Sequence, residues 1–294
     1  MRVHLVDGTY ELFRAHFAKR PPHTSPQGKD LKATVGVVQS LLTLLLDPQE
    51  KPTHLAVAFD NPIVSFRNQL FDGYKTDDGI PPELRAQFDD VETAVRALGV
   101  TVWSMKDFEA DDALATAAAR YSKAKGVTQV RILTPDKDLG QCLEGEAVVQ
   151  VDRMRQKLIT EATQKADKGL SPSSVPDFLA LVGDTADGIP GLDGWGEKGT
   201  AQVLAHYPHL EDIPRSSAQW KDAPRAAEKM SAALEAHRDD AVLYRTLATL
   251  RRDVPLAESL ADLQWKGPDA KRFEAWVAEV GGSESLLERV RAAR

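Results

Sequence analysis

The sequence holds a single cysteine, Cys142, in 294 residues, which excludes an internal disulfide and any thiolate metal cage and fits a reducing compartment. No apolar run reaches the roughly 18 residues that a bilayer span requires. Met1-Arg2 leads directly into a strand-like segment rather than a signal peptide, so the expectation is a soluble, cytoplasmic protein with no membrane partner. Internal repeats and low-complexity tracts are missing too. With 42% hydrophobic and 28% charged residues, the chain can bury one large core, or one core plus a smaller appended unit. None of the seven histidines falls in an HExxH pattern, and His206 and His209 read as exposed helix residues rather than ligands.

What is abundant is acid. The net charge of −7 by itself argues against a nucleic-acid partner, yet nine acids stand where short apolar runs stop. They are Asp7, Asp60, Glu109, Asp111, Asp112, Asp136, Asp138, Asp184 and Asp187. Without them the balance is −7 + 9 = +2, and with two divalent ions added instead it is −7 + 4 = −3, so global charge decides little.

Apolar, β-branched runs at Val3–Val6, His54–Phe59, Val100–Ser104, Val130–Leu133 and Val148–Val151 predict strands. They alternate with helical patterns at Ala33–Leu46, Pro82–Leu98 and Ala110–Lys123. This alternation predicts an α/β fold, a mostly parallel sheet flanked by helices. Ligands bind such sheets beyond the carboxyl ends of the strands, which is where Asp7, Asp60 and Asp136 fall and where Glu109-Ala110-Asp111-Asp112 opens a helix.

Taken singly, each acid has an ordinary reading. Asp7 or Asp60 after a strand serves as a helix N-cap, Glu109–Asp112 as dipole-favoured acids of a first helical turn, and Pro135–Asp138 as a turn. Taken together, carboxylates gathered at one edge repel, and burying them without compensation costs several kcal/mol each, so divalent cations are the physical reason to gather them. An oxygen-only, histidine-free set selects a hard ion, Mg²⁺ or Mn²⁺ over Zn²⁺. Asp7-Gly8-Thr9 is similar to the nucleophile loop of haloacid-dehalogenase-like phosphatases, but Leu5 stands where that loop needs a second aspartate.

From about Leu170 the character changes. A helical stretch beginning at Ser171-Pro172-Ser173 leads into the turn-rich Gly183–Gly191 and the glycine-rich Leu192–Ala201, read as a hairpin between two helices. Glycines there allow backbone amides to approach a phosphate, with a helix N-terminus behind them. The remainder is helical and charged, with an extended piece near Val254-Pro255-Leu256. Trp103, Trp195 and Trp220 read as packing residues.

In order, Leu5-Val6-Asp7-Gly8, Phe59-Asp60, Ser65-Phe66-Arg67, Gly73-Tyr74-Lys75, Glu109-Ala110-Asp111-Asp112, Ile132–Leu139 and Gly183-Asp184 through Gly196-Glu197-Lys198 make an ordered set spanning about residues 1–255. This set resembles the 5′ nuclease family: the 5′→3′ exonuclease domain of bacterial DNA polymerase I, the phage 5′ nucleases and the flap endonucleases. With no polymerase part, the chain resembles a standalone member. The resemblance implies a PIN-like catalytic domain over 1–169 with a helical arch, and a helical region over 170–294 with a helix-hairpin-helix element. It implies a metal-dependent 5′→3′ exonuclease and flap endonuclease of replication and repair, a monomer that leaves 5′-phosphate and 3′-hydroxyl ends on DNA. All nine acids fall on the family's metal-ligand positions, for two or more Mg²⁺ or Mn²⁺ ions. Lys75 resembles the arch lysine and Tyr74 its base-stacking neighbour, the two catalytic candidates. Arg14 and Arg67 resemble phosphate contacts, and Gly191, Gly194, Gly196 and Lys198 lie in the duplex-binding hairpin, whose family counterpart holds K⁺.

Two departures from the family pattern stand out. Asp78, preceded by Asp77, occupies the place of an arginine three residues after the arch lysine, leaving Arg85 or Lys106 as possible substitutes, and the arch at about Asp77–Phe88 is short and acidic. Gly199 is an extra residue in the hairpin. Two other classes share part of the pattern: a catalytically weak module that binds branched DNA, which Asp78 would suit, and a PIN-type ribonuclease, which would not need Gly183–Ala201.

Overall fold

The computed structural model describes residues 1–50 and 52–292. In chain order the elements are β1 (Arg2–Asp7), α1 (Gly8–Phe17), α2 (Lys32–Leu46), β2 (His54–Asp60), α3 (Pro82–Arg85), α4 (Phe88–Ala97), β3 (Thr101–Met105), α5 (Ala110–Tyr121), β4 (Gln129–Leu133), β5 (Val148–Asp152), β6 (Lys157–Ile159), α6 (Glu161–Lys168), α7 (Val175–Val182), α8 (Glu197–Leu204), α9 (Ala227–Ala236), α10 (Arg238–Ala248), α11 (Ala270–Glu279) and α12 (Glu284–Ala292). They form two compact units that interleave along the chain. The first takes residues 1–64, 77–134 and 252–292, the second 65–76 and 135–251.

In the first unit four parallel strands run in the order β3-β2-β1-β4. Every residue of β2 is buried, as a parallel strand covered on both faces requires. Helix α5 packs on β1 and β2, while α1 packs on α2 and β2. The chain builds outward from β1 through β2 to β3 and then returns to the other side of β1 with β4. The carboxyl end of β1 is therefore a topological switch point, the place where such sheets leave a crevice for ligands. Gly8 lets the chain turn there: a Cβ on it would stand 2.5 Å from the Phe59 ring.

The helix expected over Pro82–Leu98 is interrupted at Ala86-Gln87, giving α3 and α4. Gln87 is the cause. Fully buried, its Oε1 accepts from the amides of Ala33 (3.1 Å) and Thr34 (3.0 Å) and from Thr34 Oγ1 (3.2 Å). These are first-turn donors of α2, whose own N-cap, Leu31, supplies no side-chain acceptor. The expected arch segment, 77–88, accordingly carries only the single-turn α3.

The extended piece at Val254–Leu256 forms no strand. Side chains satisfy its backbone instead: Thr116 Oγ1 accepts from the Val254 amide at 3.1 Å and Arg120 Nη1 donates to the Leu256 carbonyl at 2.9 Å. Trp103, a packing residue as expected, is buried and donates Nε1 to Glu258 at 2.8 Å. Among the described residues no helix is long and apolar enough to cross a membrane.

The second unit contains the antiparallel hairpin β5–β6 and a helical layer in which α7 packs against α8 and α10. Strand β6 has three residues, two of them exposed, too short for a period-two pattern to reveal. The helical core gathers Leu181, Trp195, Val203, Leu204, Trp220 and Met230. Trp195 and Trp220 lie 5.8 Å apart, and Trp195 Nε1 donates to the Met230 carbonyl at 2.9 Å, so both indoles pack as expected.

Candidate metal centre

The acids of the first unit lie at the carboxyl edge of the parallel strands. Asp7 closes β1 and caps α1. Its Oδ1 accepts from the Tyr10 amide at 2.8 Å and its Oδ2 from Thr134 Oγ1, just past β4, at 2.9 Å. Asp60 closes β2, and its Oδ1 accepts from the Ala110 amide at 2.7 Å, which places it at the N-terminus of α5. Thr9 joins the two strand ends, its Oγ1 accepting from the Asp60 amide at 2.8 Å. Glu109 is the N-cap residue of α5, and Asp112 Oδ2 accepts from its amide at 3.0 Å. Asp7, Asp60, Glu109 and Asp112 are all buried, whereas Asp111, in the same helical turn, is partly open. The N-cap reading is therefore correct for Asp7. Capping and metal binding do not exclude each other, since a carboxylate has about four lone-pair sites.

The acids of the second unit make a tighter group. Asp138, Asp184 and Asp187 each bring a carboxylate oxygen within 4.8 Å of the others. Asp136 caps the turn Lys137–Cys142, its Oδ1 accepting from the Asp138 amide at 3.0 Å. A bridge between Asp184 and Ile189 ties off the loop bearing Asp184 and Asp187, and Asp184 Oδ1 accepts from the Ala186 amide at 3.0 Å. Two lysines enter the group, Lys137 at 2.9 Å from Asp184 Oδ2 and Lys75 at 2.9 Å from Asp187 Oδ1. Backbone pairing between the Lys75 amide and the Asp187 carbonyl, 3.0 Å, fixes Lys75 beside its partner.

Electrostatics in this group favour a cation. Asp138 is 5% exposed and its Oδ1 has no hydrogen-bond partner among the described residues. Burial first, then the charges of Asp136, Asp187 and Asp184, pushes its carboxyl well above the usual range. For Lys137, burial alone would lower the ammonium, but the hydrogen bond and charge of Asp184, with Asp138 and Asp136 behind, outweigh it and hold it above its ordinary value. A hard divalent ion with oxygens at ~2.1 Å holds ligand atoms at most about 4.2 Å apart, so these three carboxylates, within 4.8 Å of one another and with an open Asp138 oxygen, need only small side-chain rotations to take one.

Other expected contacts turn out differently. Arg67 is 1% exposed, and its Nε and Nη2 donate to the carbonyls of Leu247 (2.7 Å) and Thr249 (3.0 Å). It closes the C-terminus of α10 and is not presented to a phosphate. The Tyr74 ring is likewise buried, packed with Val175, Leu179, Ile189 and Leu247, so it serves the core and not a stack with a base. Arg14 remains partly open, paired with Glu11 and donating to Ser40 Oγ at 3.0 Å. Arg85, weighed as a stand-in for the arginine that Asp78 replaces, is held by Asp77 at 3.2 Å and lies 4.6 Å over the Phe88 ring. Lys137 lies between Asp136 and Asp138, where a lysine inside a turn carries no signature of its own in the sequence.

The glycine-rich hairpin spans α7 to α8. Gly191 and Gly194 have φ of +71° and +83°, and Gly196 is the N-cap residue of α8, with open space where a Cβ would stand. Lys198 is exposed in the first turn of that helix. Amides of a helix N-terminus, an approachable glycine and an exposed ammonium are the kinds of group that suit an anion.

Comparison with known proteins places these features in one family. Residues 2–169 match the 5′-3′ exonuclease N-terminal resolvase-like domain, and residues 170–271 match the 5′-3′ exonuclease C-terminal SAM fold. DNA polymerase I of Bacillus caldotenax is 33% identical over 290 residues, 97% of this chain but 32% of that protein. The chain thus spans about a third of the polymerase relatives. A 5′-3′ exonuclease of Aquifex aeolicus (strain VF5) is 30% identical over 289 residues, covering 98% of this chain and 94% of that one. Among solved structures, T5 5′-exonuclease with divalent zinc ions bound superposes at a TM-score of 0.62 with 16% identity, over 100% of this chain and 98% of that one. The catalytic core of Rad2 in complex with DNA substrate gives 0.64 with 12% identity, over 99% and 91%. These likenesses show the fold. With both parts of the family pattern matched in order, and a relative of nearly equal length at 30% identity, the chain belongs to the 5′-3′ exonuclease family.

Proposed function

We propose that this nuclease hydrolyses DNA phosphodiesters at 5′ ends and 5′ flaps of nicked or branched duplex, leaving 5′-phosphate and 3′-hydroxyl ends, with Mg²⁺ or Mn²⁺ held by the nine acids. The observation that carries the metal reading is the Asp138–Asp184–Asp187 group, with a buried carboxylate oxygen that has no hydrogen-bond partner among the described residues. When bound, divalent ions in such sites activate a water, hold the scissile phosphate and stabilise the departing 3′ oxygen. The protein's own residues supply orientation and counter-charge. Asp7 and Asp60 are held in place by amides and hydroxyls, and Lys75, locked beside Asp187, is positioned to offset charge on the phosphate oxygens. Gly191, Gly194, Gly196 and Lys198 contact the duplex backbone without reading sequence, around a K⁺ ion in the hairpin. The protein acts as a cytoplasmic monomer.

The test is incubation of purified protein with labelled 5′-flap DNA, nicked duplex, blunt duplex and single-stranded RNA, in Mg²⁺, Mn²⁺ or EDTA, beside Asp111→Asn. Flap cutting that needs metal and is lost in the variant supports the reading. Binding without cutting identifies instead a weak branched-DNA-binding module, which the capture of Arg85 by Asp77 would favour, and preference for RNA identifies a PIN-type ribonuclease.

A further inference from the structure

Lys137 stands between two of the aspartates that the metal reading requires. It follows Asp136 and precedes Asp138 in one turn, and its ammonium reaches across to Asp184 Oδ2 at 2.9 Å. Four carboxylates and two ammonium groups leave this cluster at −4 + 2 = −2, before any metal is added. The two lysines are held differently. Lys75 is 24% exposed and fastened by backbone pairing to Asp187, whereas the Lys137 side chain is 47% exposed and meets Asp184 through its ammonium. Both oxygens of Asp184 are engaged, Oδ1 by the Ala186 amide and Oδ2 by Lys137, while Asp138 Oδ1 has no hydrogen-bond partner among the described residues.

We infer that Lys137 is a place-holding cation: in the metal-free protein it neutralises Asp184, and a divalent ion binding to Asp138, Asp184 and Asp187 must displace it. Ammonium and divalent ion compete for the same oxygen, and at a separation of about 5 Å like charges repel strongly even at an effective dielectric near 20. Lys137 therefore weakens metal binding while it keeps the empty cluster from repelling itself apart. A flexible four-carbon stem, half in solvent, gives the displaced ammonium room to swing outward, where it becomes available to a phosphate. It is a positioning residue, acting through Asp184. A lysine whose only task was to brace the loop would have the opposite signature, since its loss would loosen the ligands and weaken metal binding.

This inference rests on the metal reading, and the experiment separates the two. Mn²⁺ binding is titrated by electron paramagnetic resonance in the full chain carrying Asp7→Asn and Asp111→Asn, which weaken the first-unit group while Asp60, Glu109 and Asp112 remain, with and without Lys137→Met. Lys137→Met is expected to bind Mn²⁺ about tenfold more tightly than its parent, and Lys137→Arg, which keeps the charge, to stay near the parent. Lys157→Met, which breaks an exposed pair with Asp167, serves as the unchanged control. In EDTA, Lys137→Met should melt below the parent, and saturating Mn²⁺ should erase the difference. Unchanged or weaker Mn²⁺ affinity in Lys137→Met overturns the place-holder. If neither parent nor variant binds Mn²⁺ while both remain folded, the metal reading falls with it.

Discussion

The two acid groups reach high local charge by different routes. In the first unit Asp7 and Asp60 accept from backbone amides at the starts of α1 and α5 and, for Asp7, from a threonine hydroxyl. Those donors come free with the fold, because every helix N-terminus has unsatisfied N–H groups and a positive end. In the second unit Asp184 and Asp187 answer to lysine ammonium groups, and Asp138 is buried with an open oxygen. One group is built into the termini of secondary structure and is stable while empty. The other is a balance of charges that a cation completes.

The sharpest way to break this contrast is to remove one acid from each group. Asp60→Ala and Asp138→Asn should each lower flap cleavage by roughly two to three orders of magnitude, the size of losing one preorganised electrostatic contact. Their effects on stability in EDTA should have opposite signs. Asp60→Ala takes an acceptor from the start of α5 and should cost about 1–2 kcal/mol. Asp138→Asn removes a buried charge repelled by its neighbours and should raise Tm. If both variants destabilise the metal-free protein alike, the two groups do not differ as described.

A second test strikes the scaffold of the charge-balanced group. Gly188 has φ of +76°, and a Cβ there would stand 2.1 Å from the Gly73 carbonyl oxygen, just before Tyr74 and Lys75. Gly188→Ala should destabilise by about 2–4 kcal/mol, read from urea unfolding, because backbone must move on one side or the other. It should also separate Lys75 from Asp187, so that adding Mg²⁺ recovers less stability than in the parent. No equivalent loss is expected from Gly196→Ala, where the Cβ meets open space.

Charge in the expected arch segment gives a third test. Asp78 is exposed where the family resemblance expects an arginine, and Arg85 is already taken by Asp77. Asp78→Arg should raise single-turnover flap cleavage by about tenfold to a hundredfold. A rate that stays level or falls would show that this enzyme does not need the cation.

Much of this was legible in the chain. The four parallel strands follow from short β-branched runs, and the acids at their ends follow from where those runs stop, since strand period and strand termination are local signals. What escaped depended on contacts far apart in sequence. Gln87 breaks a continuous helical pattern because it caps α2, some fifty residues away. Arg67 and Tyr74 carry family-like motifs but are drawn into the helical layer by α10 and α7, and burial of that kind leaves no mark on the motif itself. Lys137 belongs with them: that it meets Asp184, 47 residues on, is a tertiary fact with no local signal.

The smallest effect concerns an acid whose charge is compensated. At the amino end of the same parallel strands Glu50 is held by His4 Nε2 at 2.9 Å and by Arg131 at 2.7 Å. The His4 hydrogen bond, against the cost of burial and aided by the Arg131 charge, lowers its carboxyl to about 2 from the ordinary 4.5. A carboxyl depressed on folding binds fewer protons in the folded state, so its contribution is complete above pH 4.5 and disappears as pH falls toward 2. Because Glu50 is partly open to solvent, that contribution is about 1–2 kcal/mol and less than the shift alone would suggest. Glu50→Gln should therefore melt a few degrees below the parent at neutral pH, with the two curves converging at the acid end. The acids of the metal groups should behave otherwise, since their stability responds to divalent ions at constant pH. If Glu50→Gln also alters the gain in Tm from Mg²⁺, then compensation at one end of the strands is coupled to the acids at the other, and the separation between paired and metal-seeking carboxylates would have to be redrawn.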